Sequence, residues 1–172
     1  VLPLEAVVVT SRREESRTAF VERHGAAMPF KVTAVASSAE VLARCNVVVT
    51  ATTTKSALVK QGDVRPGMLL CALGSHELAP EIYRSADKVF VDDWAQTQVA
   101  HDIAPLISSG HFGRDRLSGE LADVVVGRIP GRERADEVIV VRTEGMASQD
   151  IALAHWVYQE AERLGRLQTL SL

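Results

Sequence analysis

No stretch of this sequence stays apolar for the roughly 18 residues that a membrane span requires, and its longest apolar runs have only strand length. Its opening residues, Val-Leu-Pro-Leu-Glu-Ala, lack a basic segment followed by an apolar one, so no secretory signal is expected. Cysteine occurs twice, at Cys45 and Cys71, in or beside apolar runs. Both read as buried, reduced thiols of a cytoplasmic protein rather than as a disulfide framework. An excess of basic charge is also lacking: a formal net charge of −3 argues against a nucleic-acid scaffold, which would normally carry a basic stripe. The histidines at 24, 76, 101, 111 and 155 show no metal-ligand spacing, so no metal is expected. There is no G-x-S-x-G turn to expose a nucleophilic serine, and neither cysteine has the setting of a nucleophile. One further absence matters more. Short Val-rich strands alternating with helices are the pattern of a dinucleotide fold, yet no strand here runs into G-x-G-x-x-G.

What is present is enough for one domain. The chain has 172 residues and 47% hydrophobic content, which supports a core and rules out general disorder. No internal repeat or low-complexity segment occurs. Strand-length runs lie at Glu5–Thr10, Phe30–Val35, Asn46–Thr50, Met68–Leu73, Lys88–Val91 and Glu137–Arg142. Their near-continuous apolarity, without alternation, suits a parallel sheet covered on both faces. Helices are expected at Glu14–His24, Ser38–Arg44 and Pro80–Ala86, with Ser37 or Ser38 starting the second and Gly25 closing the first. Beyond Asp92 the pattern predicts helices at Trp94–Ser109, Leu117–Val126 and Ser148–Leu164, and a loop at His111–Arg116. The last helix places Ile151, Ala154, Val157, Tyr158 and Ala161 on one face. The reading is an α/β protein: a doubly wound, Rossmann-type parallel sheet that lacks its first strand and glycine-rich turn.

Three strand ends carry residues suited to a ligand. At the first, Ser11-Arg12-Arg13 stands where NAD enzymes place a carboxylate against the ribose hydroxyls. A hydroxyl and guanidinium groups suit a 2′-phosphate instead, because the guanidinium fork matches phosphate oxygens. The alternative is that Ser11 caps the following helix and both arginines are solvated. At the second, Thr50-Ala51-Thr52 offers small, hydroxylated residues that let a ligand approach the backbone, or simply an ordinary strand-to-turn transition. At the third, Leu73-Gly74-Ser75-His76 adds a glycine for close approach and an imidazole able to move a proton, unless His76 is a plain loop residue.

In order along the chain, several segments resemble the ornithine cyclodeaminase/μ-crystallin family. They are Thr10-Ser11-Arg12, Val49-Thr50-Ala51-Thr52, Ala72-Leu73-Gly74-Ser75-His76, Val91-Asp92-Asp93 with Gln96, and Gly119–Val124 with Gly127. The late segment Val138–Ala154 looks like the family's closing signature: a strand, a basic residue, Thr-x-Gly, and an acidic residue opening a long helix. The resemblance implies an NAD(P)-dependent enzyme that exchanges hydride with the nitrogen-bearing carbon of an imine or amino acid. It implies further that Ser11, Arg12 and Arg13 hold the adenosine end, with NADP favoured over NAD, and that Thr50, Ala51 and Thr52 lie along the cofactor. Leu73 and Gly74 would approach the nicotinamide ribose, with Thr143, Glu144 and Gly145 closing over the ring. A small-molecule imine or amino-acid substrate and a homodimer are the implied partners, with no nucleic acid and no membrane.

Two departures shift the balance within the family. Cyclodeaminases carry a catalytic Asp two residues after the glycine matching Gly74, where this chain has His76. The loop that reads G-S-x-x-P-x-x-R-E-L lacks its proline and arginine and is one residue shorter before Glu81. Both favour a reductase or dehydrogenase over a cyclodeaminase-type lyase, or over a non-catalytic, crystallin-like nucleotide binder. The chain divides into residues 1–145, part of a nucleotide-binding domain, and residues 146–172, a helix that would pack toward a substrate and dimerisation domain not contained in it. In a sheet ordered 3-2-1-4-5-6, the missing first strand lies between Glu5–Thr10 and Asn46–Thr50. Either a further segment or chain fills that place, or the two edges close on each other.

Overall fold

The computed structural model describes residues 3–168, so the last residues of the 146–172 segment lie outside the described range. Strand β1 (Ala6–Val9) and strand β2 (Lys31–Ala34) pair in parallel, joined by helix α1 (Glu14–His24). Helix α2 (Ser38–Arg44) starts on a reciprocal cap: the Glu40 amide donates to the Ser37 hydroxyl, and the Ser37 amide donates to the Glu40 carboxylate. A five-stranded sheet follows, built from β3 (Val47–Thr50), β4 (Leu69–Ala72), β5 (Lys88–Val91), β6 (Gly119–Glu120) and β7 (Ile139–Arg142). Helices α3 (Pro80–Ser85), α4 (Trp94–Thr97), α5 (Ala104–Ser108), α6 (Leu121–Val125) and α7 (Ala147–Arg163) complete the described fold.

The strand order is β3-β4-β7-β5-β6, all parallel. The last strand thus enters between β4 and β5 rather than extending the sheet at its end. Ile139 and Val140 are buried there at 5% and 0% exposure, so the place suits the strand's two-sided apolarity. Met68, Leu70, Ile82 and Val140 have no exposed surface and form the centre of the core. Each such side chain contributes roughly 1.5–3 kcal/mol by leaving water.

β1 and β3 have not closed on each other. A cleft of about 770 Å³ separates them, lined by residues 3–9 on one side and by Val41 and residues 44–49 on the other. β1 has its partner on one side only, and β3 is the edge of its own sheet.

Three local expectations change. The helix expected over Trp94–Ser109 is two short helices, α4 and α5, separated by a turn from which Asp102 reaches a buried arginine. The helix expected from Leu117 begins at Leu121, because the Ser118 amide and hydroxyl bond the backbone of Val89 and draw residues 119–120 onto the sheet edge. Gly25 is right-handed (φ −60°) and continues into a tight turn through Ala27, so it does not end α1 by a left-handed glycine. Helix α7 forms as expected but no residue of it is buried: Ile151, Trp156, Val157 and Tyr158 are all more than half exposed. No helix among the described residues is long and apolar enough to cross a membrane. Cys45 and Cys71 are both free and half-buried, and burial pushes the Cys71 thiol above its ordinary value.

Candidate functional site

Parallel strands place all their carboxyl ends on one edge. Thr50, Ala72, Arg142 and Val91 stand in register across β3, β4, β7 and β5, so the loops that follow them share one rim. Three buried carboxylates brace those loops; sequence reasoning quoted Asp92 only within the family resemblance and assigned a role to none of the three.

The first is Glu77, with no exposed surface. One carboxylate oxygen accepts from the Thr52 amide and, at 2.7 Å, from the Thr52 hydroxyl; the other accepts from the Gly74 amide at 2.7 Å. Burial disfavours this carboxylate, but bonds from the Thr52 hydroxyl and from the Gly74 and Thr52 amides outweigh it. The carboxyl is held below its usual range. Gly74 is required by this contact. A Cβ at position 74 would collide with the Thr52 carbonyl and stand 2.9 Å from the Glu77 carboxyl carbon.

Asp92, directly after β5, is the second. One of its oxygens accepts from the amides of Glu144 and Gly145 at 2.9 and 2.7 Å, which fixes the turn after β7. The third is Asp102, which holds Arg142 through two bonds of 3.2 Å and accepts from the His76 amide at 3.3 Å. Arg142, 1% exposed, also donates to the Thr143 carbonyl and pairs with Glu144 at 2.6 Å. Burial pushes the Glu144 carboxyl up against the pull of Arg142, and the Asp102 and Asp92 carboxylates add to the rise. The Tyr83 hydroxyl is buried behind this cluster without a hydrogen-bond partner among the described residues, and burial pushes its pKa above the ordinary value.

His76 has φ 63°, a left-handed conformation that costs a non-glycine residue roughly 1 kcal/mol, and the bond to Asp102 helps hold it there. Beside it opens a cleft of about 510 Å³ lined by residues 52–55, Ser75, His76 and His101.

The expected site residues therefore fall into two groups. Thr52 and Gly74 meet through Glu77, Glu144 and Gly145 through Asp92, and His76 joins the Thr143–Glu144 turn through Asp102 and Arg142. Ala51 is exposed and Leu73 is 50% exposed on the rim, while the Thr50 hydroxyl turns inward to the Cys71 carbonyl at 3.3 Å. Ser11, Arg12 and Arg13 stand apart, exposed at the end of β1. The Ser11 hydroxyl donates to the Arg13 carbonyl at 3.0 Å, and the residue at the cap of α1 is Arg13, so Ser11 is not the helix cap. The signal for the missed residues lay in position: Asp92 and Arg142 are charged groups set directly at the ends of apolar strands, where only a buried partner makes a charge tolerable.

A profile of the ornithine cyclodeaminase/mu-crystallin family matches residues 1–164. The chain is 32% identical over 171 residues to N-((2S)-2-amino-2-carboxyethyl)-L-glutamate dehydrogenase of Staphylococcus aureus, covering 98% of this chain and 51% of that protein. It is 33% identical over 135 residues to alanine dehydrogenase of Archaeoglobus fulgidus, covering 76% of this chain and 42% of that one. Among solved structures, the iminosuccinate reductase of Paracoccus denitrificans in complex with NAD+ superposes with a TM-score of 0.84 at 26% identity. That match covers 99% of this chain and 53% of that one. The chain thus spans about half the length of the curated relatives it matches. Its parallel sheet, its braced strand ends and the match over residues 1–164 agree: the chain belongs to the ornithine cyclodeaminase/mu-crystallin family.

Proposed function

We propose that this chain is the nucleotide-binding portion of an NAD(P)-dependent oxidoreductase acting on an imine or amino acid. The observation that carries the reading is the shared rim at the carboxyl edge of a parallel sheet, where Glu77 locks the loop after β3 to the loop after β4, and Asp102 links His76 to Arg142 at the end of β7. A sheet of this kind binds a dinucleotide along that edge. The residues present fit such a group: Ala51 and Leu73 stand exposed on the rim beside the Gly74 backbone that Glu77 holds, and the exposed guanidinium groups of Arg12 and Arg13 are free to meet a ribose phosphate. A bound nicotinamide supplies hydride for the nitrogen-bearing carbon. The chain's share is to orient that exchange through Gly74 and the Thr143–Gly145 turn, and to pass the accompanying proton to or from nitrogen at His76.

His76 in place of an acidic residue favours hydride exchange over cyclodeamination. The relatives named above support the substrate class, since one is a dehydrogenase of an amino-acid conjugate, one of alanine, and one a reductase of iminosuccinate. The exposed face of α7 would meet the rest of a homodimeric, cytoplasmic enzyme.

The test is NAD(P)H oxidation by the full-length protein with imines, or with 2-oxo acids plus ammonia. No turnover with any of them overturns the reading. Within an active protein, Arg12→Asp should weaken NADPH by more than tenfold relative to NADH, because one charge-assisted contact is worth ~1.5–3 kcal/mol. An equal loss for both cofactors removes the phosphate assignment. His76→Ala should lower turnover by about 10²-fold with cofactor affinity unchanged, and full turnover would return His76 to a loop role.

A further inference from the structure

The cleft beside His76 has walls of one chemical kind. Residues 52–55, Ser75, His76 and His101 line it, giving four hydroxyls, one ammonium and two imidazoles, with no carboxylate among them. Some of these groups are already engaged. The Thr52 hydroxyl donates to Glu77, and the Thr54 hydroxyl donates to the Ser56 carbonyl at 2.8 Å. The Thr53 hydroxyl and the Lys55 ammonium have no hydrogen-bond partner among the described residues. The Ser75 oxygen accepts from Arg142 at 3.4 Å, which leaves its own proton free to point into the cleft.

The nearby acids do not compete for a guest. Glu77 is occupied by Thr52 and Gly74, and Asp102 by Arg142 and the His76 amide. Glu144 is paired with Arg142 at 2.6 Å and also feels His101. The cleft is therefore a cluster of unspent donors whose nearest negative charges are all satisfied elsewhere. Such a site takes an anion.

The shape of the donor set separates two kinds of anion. Phosphate is held by successive backbone amides, often at a helix start or a glycine-rich turn. Here the amides of Thr52 and Thr54 point at Glu77 and at the Thr52 hydroxyl, so this loop does not present the unbroken run of amides that cradles a phosphate. One ammonium with two free hydroxyls matches the single charge and two oxygens of a carboxylate. We propose that this cleft binds the side-chain carboxylate of a dicarboxylic amino or imino acid, with Lys55, Thr53 and Ser75 as its donors and His76 and His101 at its mouth. The inference rests on the oxidoreductase reading for the identity of the guest as substrate, and it adds the substrate class.

Lys55 is exposed and outside the bracing network, so its replacement leaves the fold intact. The full-length protein is titrated with succinate, with the neutral isostere succinamide and with inorganic phosphate, while imidazole resonances are followed by NMR. Succinate should shift His76 and His101 and leave His24, His111 and His155 unmoved. Lys55→Ala should weaken succinate at least tenfold, Lys55→Arg should hold it within threefold, and succinamide should not bind. Binding of phosphate without succinate, or equal binding of succinamide, overturns the proposal. In turnover, Lys55→Ala should lower kcat/KM at least tenfold for oxaloacetate plus ammonia and leave 2-oxobutyrate plus ammonia within threefold. Equal losses on both overturn it as well. Absence of turnover with every substrate would overturn the oxidoreductase reading, while the NMR titration still decides whether the cleft takes a carboxylate.

Discussion

Two parts of this chain use the same local vocabulary and reach different ends. β1 reads Ala-Val-Val-Val and β7 reads Ile-Val-Val-Arg, both four-residue strands of β-branched residues. β7 lies between two partners and buries Ile139, Val140 and Arg142, whereas no residue of β1 is buried. Helix α1, which follows β1, also buries nothing, and in the β1–β2 unit only Val32 and the adjoining Val35 are buried. Strand propensity is thus equal in the two places and context is not. What β1 lacks is a neighbour on its cleft side, so its side chains have nothing to pack against. The comparison teaches that the five-stranded sheet carries the stability of the chain, and that the β1–β2 unit is held mainly by its own ladder.

The strongest way to break the comparison is at Arg142, the hub of the sheet side. Arg142→Ala would leave Asp102, whose side chain is 6% exposed, buried beside Glu144 with no cation between them. Removing one partner of a buried pair costs about 3–5 kcal/mol. Urea unfolding of the chain should show that loss, together with weakened protection of the His76 amide. A loss below about 1 kcal/mol would mean the cluster is solvated and does not brace the rim.

Most of the architecture could be read from the residues, and the reasons for the exceptions are physical. Apolar runs fixed six of the seven strands to within two residues, because a buried parallel strand must be apolar on both faces. β6 was missed because two residues carry no periodicity; the bonds from Ser118 to Val89, over 29 positions of sequence, place it on the edge. The split of the expected helix at 94–109 has the same origin, since Asp102 is drawn to Arg142 across 40 positions. At the rim, sequence reasoning found the loops but not their braces. Thr52, Gly74, Glu144 and Gly145 follow from strand-end position, as Asp92 could have, while Glu77 and Asp102 become visible only once the loops face one another. Gly74 was read as room for a ligand; in the structure the nearest claims on that room are the Thr52 carbonyl and Glu77.

A smaller effect sharpens the comparison through acid. Because the folded Glu77 carboxyl lies below its ordinary value, its bonds contribute stability above about pH 4.3 that is lost as pH falls through the folded value. Glu137 and Asp87, also held low, add to the same acid loss, with backbone amides as the leading cause in each. Glu77→Gln should cost roughly 1–3 kcal/mol at neutral pH, since an amide cannot accept at both oxygens. It should also flatten, without abolishing, the fall in stability below pH 4.3. Urea melts at pH 7 and pH 3.5 measure both. An unchanged acid slope would show that the Glu77 bonds are not formed in solution.

The smallest effect is also the most discriminating, because it makes one substitution in both regions. Val140→Ala, at a site with no exposed surface, should cost roughly 2 kcal/mol in lost transfer energy and packing. Val8→Ala, in the half-exposed β1 and lining the 770 Å³ cleft, should cost less than about 0.5 kcal/mol in this chain. Both mutations delete the same atoms from the same residue type, so the difference reports environment alone. If a strand from elsewhere in a longer protein lies between β1 and β3, Val8 becomes a core residue there. The cost of Val8→Ala in that protein should then rise toward that of Val140→Ala. If it stays below 0.5 kcal/mol in the full-length protein, the cleft is solvated and β1 is a true edge. Hydrogen exchange supplies the second reading: in this chain the β1 amides should exchange well before those of β4 and β7, and a filled cleft would bring the two sets together.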